Sequence, residues 1–263
     1  MGEFQIISDN LLKSFGERVR ASVKKCFQAL DSRDLTIDDF KNYMLAGAVA
    51  SSQIEGSTLD LNSFYQSKQN KTNKKEVKEI ENLLTAYEYA KSYRLSQAGL
   101  LICHETLTAT FSNITKSQKG KYRRIMVGIR GWSGLVYLAV EPQFVQQEMN
   151  KLFMDIDLLL KQKLTLKETL YYGSYIHFVF AKIHPFADGN GRAARLLEKW
   201  FMAEVLGEGV WGIPSEKYYY DNRHEYYNSI NIGVNYYESL ERLDQLLPFL
   251  ILLPKAVCYK PID

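Results

Sequence analysis

A run of apolar residues at helical spacing, Leu170 to Ile183, ends abruptly at His184-Pro185. Proline lacks an amide hydrogen and disfavours helical backbone at the residue before it, so a helix must stop there. After a short polar segment, Arg192 to Leu206 is again predicted to be helical. Leu196, Leu197, Trp200, Phe201 and Val205 are its apolar contacts, and Gly207 is placed to end it. The centre of the chain is therefore helix, short polar loop, helix. Similar apolar periodicities along the remaining sequence predict an all-α fold of about eight to ten helices, with one β-hairpin. At 263 residues and 46% hydrophobic content, the chain can bury a sizeable core.

The polar loop has the chemistry of an anion site. Gly189 and Gly191 bring backbone N–H groups close to a ligand. The helix that follows offers free N–H groups and the positive end of its dipole. Arg192 and Arg195, three apart on its first turn, can grip successive phosphates. Asp188 is a hard oxygen ligand suited to Mg²⁺ held mainly by phosphate and water. His184 can act as a base near neutral pH. Taken singly these residues are ordinary: Gly-Asn-Gly is usually a turn, and arginines at a helix start usually face solvent. Base, metal ligand, amides and two arginines within one short stretch point to phosphoryl or nucleotidyl transfer.

The string His184-Pro185-Phe186-x-Asp188-Gly189-Asn190-Gly191-Arg192-x-x-Arg195 resembles the Fic (Fido) family motif at every defined position. No Gly-Lys-Ser/Thr follows, so it is not a Walker A loop. The resemblance implies a Fic-type helical bundle with a β-hairpin flap over the active site. It also implies a protein adenylyltransferase, moving AMP from Mg-ATP to a Ser, Thr or Tyr hydroxyl of a protein. His184 would be the base and Asp188 the Mg²⁺ ligand. Phe186, Gly189, Asn190, Gly191, Arg192 and Arg195 would contact the nucleotide, with Asn190 and the nearby amides on the α-phosphate. The same motif is compatible with removal of AMP, with transfer of another phosphate-containing group, or with a non-catalytic nucleotide-binding module.

Upstream, Thr36 reads as an N-cap with Asp39 three residues on, a capping-box arrangement. The helix from Ile37 carries Phe40, Met44 and Ala48 and reaches Ser51-Ser52-Gln53-Ile54-Glu55-Gly56, where glycine is a natural residue past the helix end. A carboxylate on that last turn faces the unfavourable end of the dipole and calls for a partner elsewhere. Ser51-x-x-x-Glu55-Gly56 resembles the inhibitory motif of Fic proteins whose inhibitory helix is N-terminal. In that class the glutamate pairs with the second motif arginine, here Arg195, and blocks the γ-phosphate position. Ser51 would cap the helix or touch the glutamate.

Gly120 to Val140 reads as a hairpin, with Ile125, Val127 and Ile129 alternating, a Gly131-Trp132-Ser133-Gly134 turn, then Val136, Leu138 and Val140. With Gly120-Lys121-Tyr122-Arg123 before it, this resembles the Fic flap, which registers a target segment by strand addition. Tyr226 or Tyr227 resembles the family's adenine-pocket tyrosines, although amphipathic tyrosines also pack without a ligand. His104 reads as a hydrogen-bonded core residue.

Residues 1–33 are predicted to hold one amphipathic helix, 66–75 a mobile polar loop, and Leu240 to Leu253 a closing helix. Further helices are predicted over Glu76 to Tyr93, Gln97 to Phe111, Phe144 to Leu160 and Lys167 to Ile183. The resulting division is an N-terminal helical region with the inhibitory helix (1–95, helix about 37–56), a Fic core (96–255) and a tail (256–263). Cys26, Cys103 and Cys258 lack metal or redox spacing and read as reduced thiols of a cytosolic protein. The sequence shows neither a signal peptide nor a membrane span, which together predict a cytoplasmic protein. A net charge of +3 is too mild to argue for nucleic acid, and the sequence leaves self-association open.

Overall fold

The computed structural model describes residues 3–31, 36–131 and 134–260. Two buried helices form its axis. Helix α8 (Leu166–Ile183) starts at a Thr165/Glu168 capping box, and α9 (Asn190–Leu206) ends at Gly207. Leu170, Ile176, Phe178, Val179 and Phe180 are wholly buried around α8. A helix that is apolar on all sides belongs at the centre of a bundle.

The remaining helices wrap this pair. From the N-terminus they are α1 (Leu12–Arg18), α2 (Ser22–Asp31), α3 (Ile37–Ile54), α4 (Leu61–Asn70), α5 (Lys74–Ser92), α6 (Gln97–Leu107) and α7 (Val145–Leu160). After α9 come α10 (Ser215–Asp221), α11 (Arg223–Ile230), α12 (Tyr236–Glu241), α13 (Leu247–Leu250) and α14 (Leu252–Val257). The one sheet among the described residues is an antiparallel hairpin of β1 (Gly128–Gly131) and β2 (Gly134–Leu138), with a register irregularity between Ile129 and Arg130. The fold is therefore all-α with a small β-hairpin, as expected. The proposed turn residues Trp132 and Ser133 lie outside the described residues.

Helix α3 places the upstream motif. Thr36 accepts from the Asp39 amide while the Asp39 carboxylate accepts from the Thr36 amide, completing the expected capping box. At the other end Gly56 has φ +98°, a conformation that favours glycine. The Gly56 amide bonds to the Gln53 carbonyl and the Ser57 amide to the Ser52 carbonyl, which is the Schellman arrangement. That termination puts Glu55 at the C-cap.

Several expectations need correction. The N-terminal stretch forms two helices, because Val19 leaves helical geometry at ψ 116°. Helices are also more numerous than expected, at fourteen among the described residues, several of a single turn or two. The C-terminal stretch is broken into α12, a 3-10 turn, α13 and α14, with Pro248 seated in the first turn of α13, where its missing N–H costs nothing. The 66–75 stretch is no loop: α4 runs through Asn70 and α5 begins at Lys74. Asp60 caps α4 through the Ser63 amide, and Phe64 and Ser67 are buried, so local capping and packing outweigh the polar composition.

The cysteine reading is corrected too. Cys26 in α2 is bonded to Cys258 just past α14, Cα to Cα 5.3 Å across 232 residues of sequence. Cys103 is the one free thiol among the described residues, buried in the core. No spacing rule reaches that far, and the bond removes the thiol argument for a reducing cytosol. A cross-link closing so long a loop restricts the unfolded chain strongly. Its reduction, or Cys26→Ser, is expected to cost about 2–4 kcal/mol. Chemical denaturation with and without dithiothreitol checks this; coincident midpoints would contradict it. No helix among the described residues is long and apolar enough to cross a membrane.

Candidate active site

The His-Pro break turns the chain at a left-handed residue. His184 caps α8 with φ 51° and ψ 59°. Positive φ costs a side-chain-bearing residue roughly 1–2 kcal/mol, so the surroundings must hold it. Arg123, a buried guanidinium from the segment before β1, does so. Its Nε donates to the His184 carbonyl (2.8 Å), Nη1 to Ile125 (2.8 Å) and Nη2 to the carbonyls of Val140 and Ile183. The Arg123 amide donates to the Pro185 carbonyl at 2.8 Å. One side chain thus ties the flap segment to the motif loop.

The His184 ring lies with Nδ1 3.3 Å from the Ala181 carbonyl. That acceptor selects the Nδ1–H tautomer and leaves Nε2 as the basic nitrogen. Burial, helped by nearby Arg123 and opposed by the Ala181 carbonyl and the Glu55 and Asp188 carboxylates, pushes the His184 pKa down to about 4. The imidazole is therefore neutral at physiological pH, the form a general base requires. The signs agree for stability. The unfolded imidazole takes its proton near 6.5 and the folded one near 4, so stability is lost as pH falls through that window. The ring resonances of His184 are expected to titrate below pH 5 in an NMR series; a midpoint near 6.5 would contradict this.

His104 of α6 supports the loop from beneath. It is fully buried and stacks on the Phe186 ring, with centroids 3.6 Å apart and planes 7° from parallel. Its Nδ1 accepts from the Gly120 amide (3.0 Å), which leaves Nε2 to donate to the Asp188 carbonyl (2.9 Å). Burial lowers its pKa to about 4, so it stays neutral in that role. Phe186 itself is fully buried, also near Tyr122 and Phe180, and packs rather than lines an open site. The Asn190 amide group is likewise engaged. It accepts from the Phe186 amide (2.8 Å) and donates to the Phe186 carbonyl (2.9 Å), clamping the loop onto the start of α9. The side chain expected on an α-phosphate is thus spent on the loop.

Asp188 accepts from the Gly189 amide and from Asn113 Nδ2, a loop residue not singled out from sequence. Gly189, at φ +79°, forms the N-cap of α9. Among the described residues no three His, Cys, Asp or Glu side chains converge as a metal cluster. Asp188 is the acidic side chain of the loop, so a divalent ion here would rely chiefly on ligands other than protein. Hard carboxylate oxygen suits Mg²⁺ used in that way.

The two arginines point to different partners. Arg192 lies over the Phe111 ring at 4.6 Å and 3.7 Å from Glu79 of α5, with its buried Nε lacking a hydrogen-bond partner. Arg195 is 1% exposed and held on three sides. Its Nε donates to Ser51 Oγ (2.8 Å), Nη2 to the Ser51 carbonyl (3.0 Å) and to Glu55 Oε1 (2.8 Å), and Nη1 to Tyr226 OH (3.5 Å). Burial alone would lower the Arg195 pKa, but the Glu55 carboxylate more than offsets this and raises it. Ser51 therefore touches the arginine, whereas capping or contact with the glutamate was expected.

Glu55 has found the partner its helix denied it. Its carboxylate pairs with Arg195 and also lies over the first turn of α9, where Oε1 leaves no room for a Cβ on Gly191. An acid at the wrong end of α3 thus sits at the favourable end of α9. The space that would receive an anionic ligand is shared by this side chain.

Tyr226 is buried between Tyr219 and Phe249, and its hydroxyl meets His177 Nε2 at 3.0 Å. His177 Nδ1 is 2.8 Å from Glu198, which also accepts from Tyr219. Tyr226 thus reaches the site through its hydroxyl on Arg195. Tyr227 is 41% exposed and donates to the Ile54 carbonyl, fastening the end of α3. His104 is the hydrogen-bonded core residue expected, and Arg123 belongs to the expected flap segment, but their bonds to the motif loop, with Asn113, Glu79 and the His177–Glu198 pair, escaped the sequence reading because these partners lie far apart in sequence.

Residues 94–202 match the Fic/DOC family model. A protein adenylyltransferase Fic from Nematostella vectensis is 29% identical over 114 residues, 43% of this chain. The match spans only 23% of that relative's own length. A Fic family protein from Desulfovibrio desulfuricans G20 superposes with TM-score 0.74 at 20% identity, over 98% of this chain and 74% of that one. A Fic domain containing signaling protein from Bacteroides thetaiotaomicron gives 0.71 at 19% identity, over 90% and 93%. At those identities the structures speak for the fold, while the family match covers the helices that carry the motif. On motif, fold and family match together, residues 94–202 of this chain are a Fic domain.

Proposed function

We propose that the chain is an autoinhibited protein adenylyltransferase that moves AMP from ATP to a protein hydroxyl. The observation that carries this reading is the Glu55–Arg195 pair, seated over the start of α9 in an otherwise complete motif. The adenylyltransferase name of the Nematostella vectensis relative supports the chemistry. In the reaction, an acceptor hydroxyl oxygen attacks the α-phosphorus, and its proton passes to His184 Nε2. The bond to the bridging oxygen breaks and pyrophosphate leaves. The amides at the start of α9 face the phosphates, Arg192 takes the β-phosphate, and Arg195 takes the γ-phosphate once Glu55 has moved. A guanidinium cannot present the same N–H edge to a carboxylate and a phosphate at once. A divalent ion, Mg²⁺ by its ligand chemistry, would be held by Asp188 and would neutralise phosphate charge.

In this proposal residues 1–95 supply the inhibitory α3, residues 96–255 the catalytic core, and the adenine lies beside Tyr227. Tyr226 acts from behind, through Arg195. The test is intact mass and label transfer with the Glu55→Gly protein, offered ATP, GTP, CTP and UTP in parallel with a divalent ion. Adenylate on a protein acceptor, with ATP preferred, is the expected result. Absence of transfer from every nucleotide, to itself and to a panel of acceptors, would overturn the reading. A second reading, removal of AMP, draws on Glu55 lying within electrostatic reach of His184, where it could orient a water. Release of AMP from a modified acceptor by the wild type but not by Glu55→Gly would favour it.

A further inference from the structure

No carboxylate occurs between Glu105 and Glu141, while the same stretch carries Lys116, Lys119, Lys121, Arg123, Arg124 and Arg130. For a chain of net charge +3, that is a strong local segregation. Arg123 is buried and spent on backbone carbonyls, and Lys119 donates to the Ala109 carbonyl. Lys121 and Arg124 are exposed, and neither takes part in any ion pair recorded among the described residues. Charged residues elsewhere are commonly paired, including Lys68–Glu81, Lys91–Glu208 and Lys255–Glu225.

These two cations line a cleft of about 670 Å³, together with Ser117, Gln118, Tyr122 and Gln146. The cleft runs along the segment that leads into β1. The sheet has two strands, so the outer edge of β1 has no strand partner among the described residues. The other strand is already bridged beyond the hairpin, at Leu138–Asn235. Ile125, Met126 and Ile129 are 52%, 47% and 40% exposed beside that edge. Through Arg123 the inner wall of the cleft is bonded to the His184 and Pro185 carbonyls. The cleft's lining reaches Ile125, three residues before β1, so the unpaired cations, the exposed apolar side chains and the open strand edge follow one another along a single segment that Arg123 ties to the motif loop.

We infer that this cleft selects the protein acceptor by charge: Lys121 and Arg124 dock an acidic extended segment next to the modified hydroxyl. The inference deepens the adenylyltransferase reading and rests on it for the acceptor's role. Backbone pairing on a strand edge is indifferent to sequence, so flanking charges supply the discrimination. A polynucleotide fits less well. Single strands need free aromatic faces for stacking, and among the described residues of this segment the Tyr122 ring packs on Phe186 while Tyr137 is buried.

The test separates docking from chemistry. Fluorescein-labelled peptides with one serine flanked by glutamates, by glutamines or by lysines are titrated with the protein without nucleotide, at low and high salt. The acidic peptide is expected to bind roughly tenfold more tightly than the glutamine peptide, with the advantage falling in salt. Lys121→Glu combined with Arg124→Glu should erase that preference and favour the lysine peptide, with an unchanged melting curve. Equal binding of acidic and glutamine peptides, or an unchanged preference in the double variant, overturns the inference. So does an oligonucleotide or anionic vesicle that displaces the acidic peptide and depends more strongly on the same two residues. The same peptides are then offered with ATP to the Glu55→Gly protein. Charge-selective binding without adenylate transfer would leave the surface standing and count against the adenylyltransferase reading alone.

Discussion

Replacing His184 with alanine is expected to reduce adenylate transfer by about 10²–10⁴-fold, the usual worth of a positioned general base. The geometry assigns it no second duty that would blur the result. Its Nδ1 is turned to the Ala181 carbonyl, and the backbone that it caps is held by Arg123 through main-chain carbonyls, which alanine retains. Nucleotide affinity should change little, because in the proposed binding mode the phosphates meet the amides at the start of α9 and the two arginines. The measurement is label transfer in the Glu55→Gly background beside calorimetric titration of ATP. Robust transfer by the alanine variant would remove His184 from the role of base. The pH profile supplies a second check. With the His184 pKa pushed down to about 4 by burial, kcat/KM for the free enzyme should hold level through pH 6 and fall only in more acidic buffer.

Replacing Glu55 with glycine is expected to raise transfer by roughly 10–100-fold, the worth of one hydrogen bond to a charged group restored to the substrate. The gain follows from what the change leaves behind. Arg195 keeps both contacts to Ser51 and its approach to Tyr226, so the guanidinium remains in place when the carboxylate goes. The substitution also clears the first turn of α9, where the glutamate oxygen lies against Gly191. Glu55→Gln, which removes charge but not bulk, should fall between wild type and Glu55→Gly. Comparing initial rates and the KM for ATP across the three decides it. Equal rates would mean that the Glu55–Arg195 pair is structural and the site is regulated elsewhere, if at all.

Helix boundaries around the site were legible because they obey local rules. The Thr36–Asp39 capping box, the glycine at position 56 and the proline at 185 each act within a few residues of themselves. Hydrogen bonds of that range depend on residue type and spacing, both of which a sequence displays. The polar 66–75 stretch was misread for the complementary reason. Its helical state depends on a cap at Asp60 and on packing of Phe64 and Ser67, contributions that lie outside the stretch or come from the rest of the fold.

The sequence by itself determined the chemistry at hand: a histidine, a carboxylate, helix-start amides and two arginines between His184 and Arg195, and a glutamate at the end of a capped helix. Only the tertiary structure decided how those groups are used. It set Glu55 on Arg195 across 140 residues and turned Asn190 inward onto Phe186. It brought Arg123 to the His184 carbonyl and His104 beneath the loop, and it joined Cys26 to Cys258. The physical reason is range. Capping and chain breaking are short-range and written in neighbouring residues, whereas side-chain partners across a bundle depend on which helices the burial of apolar surface brings side by side.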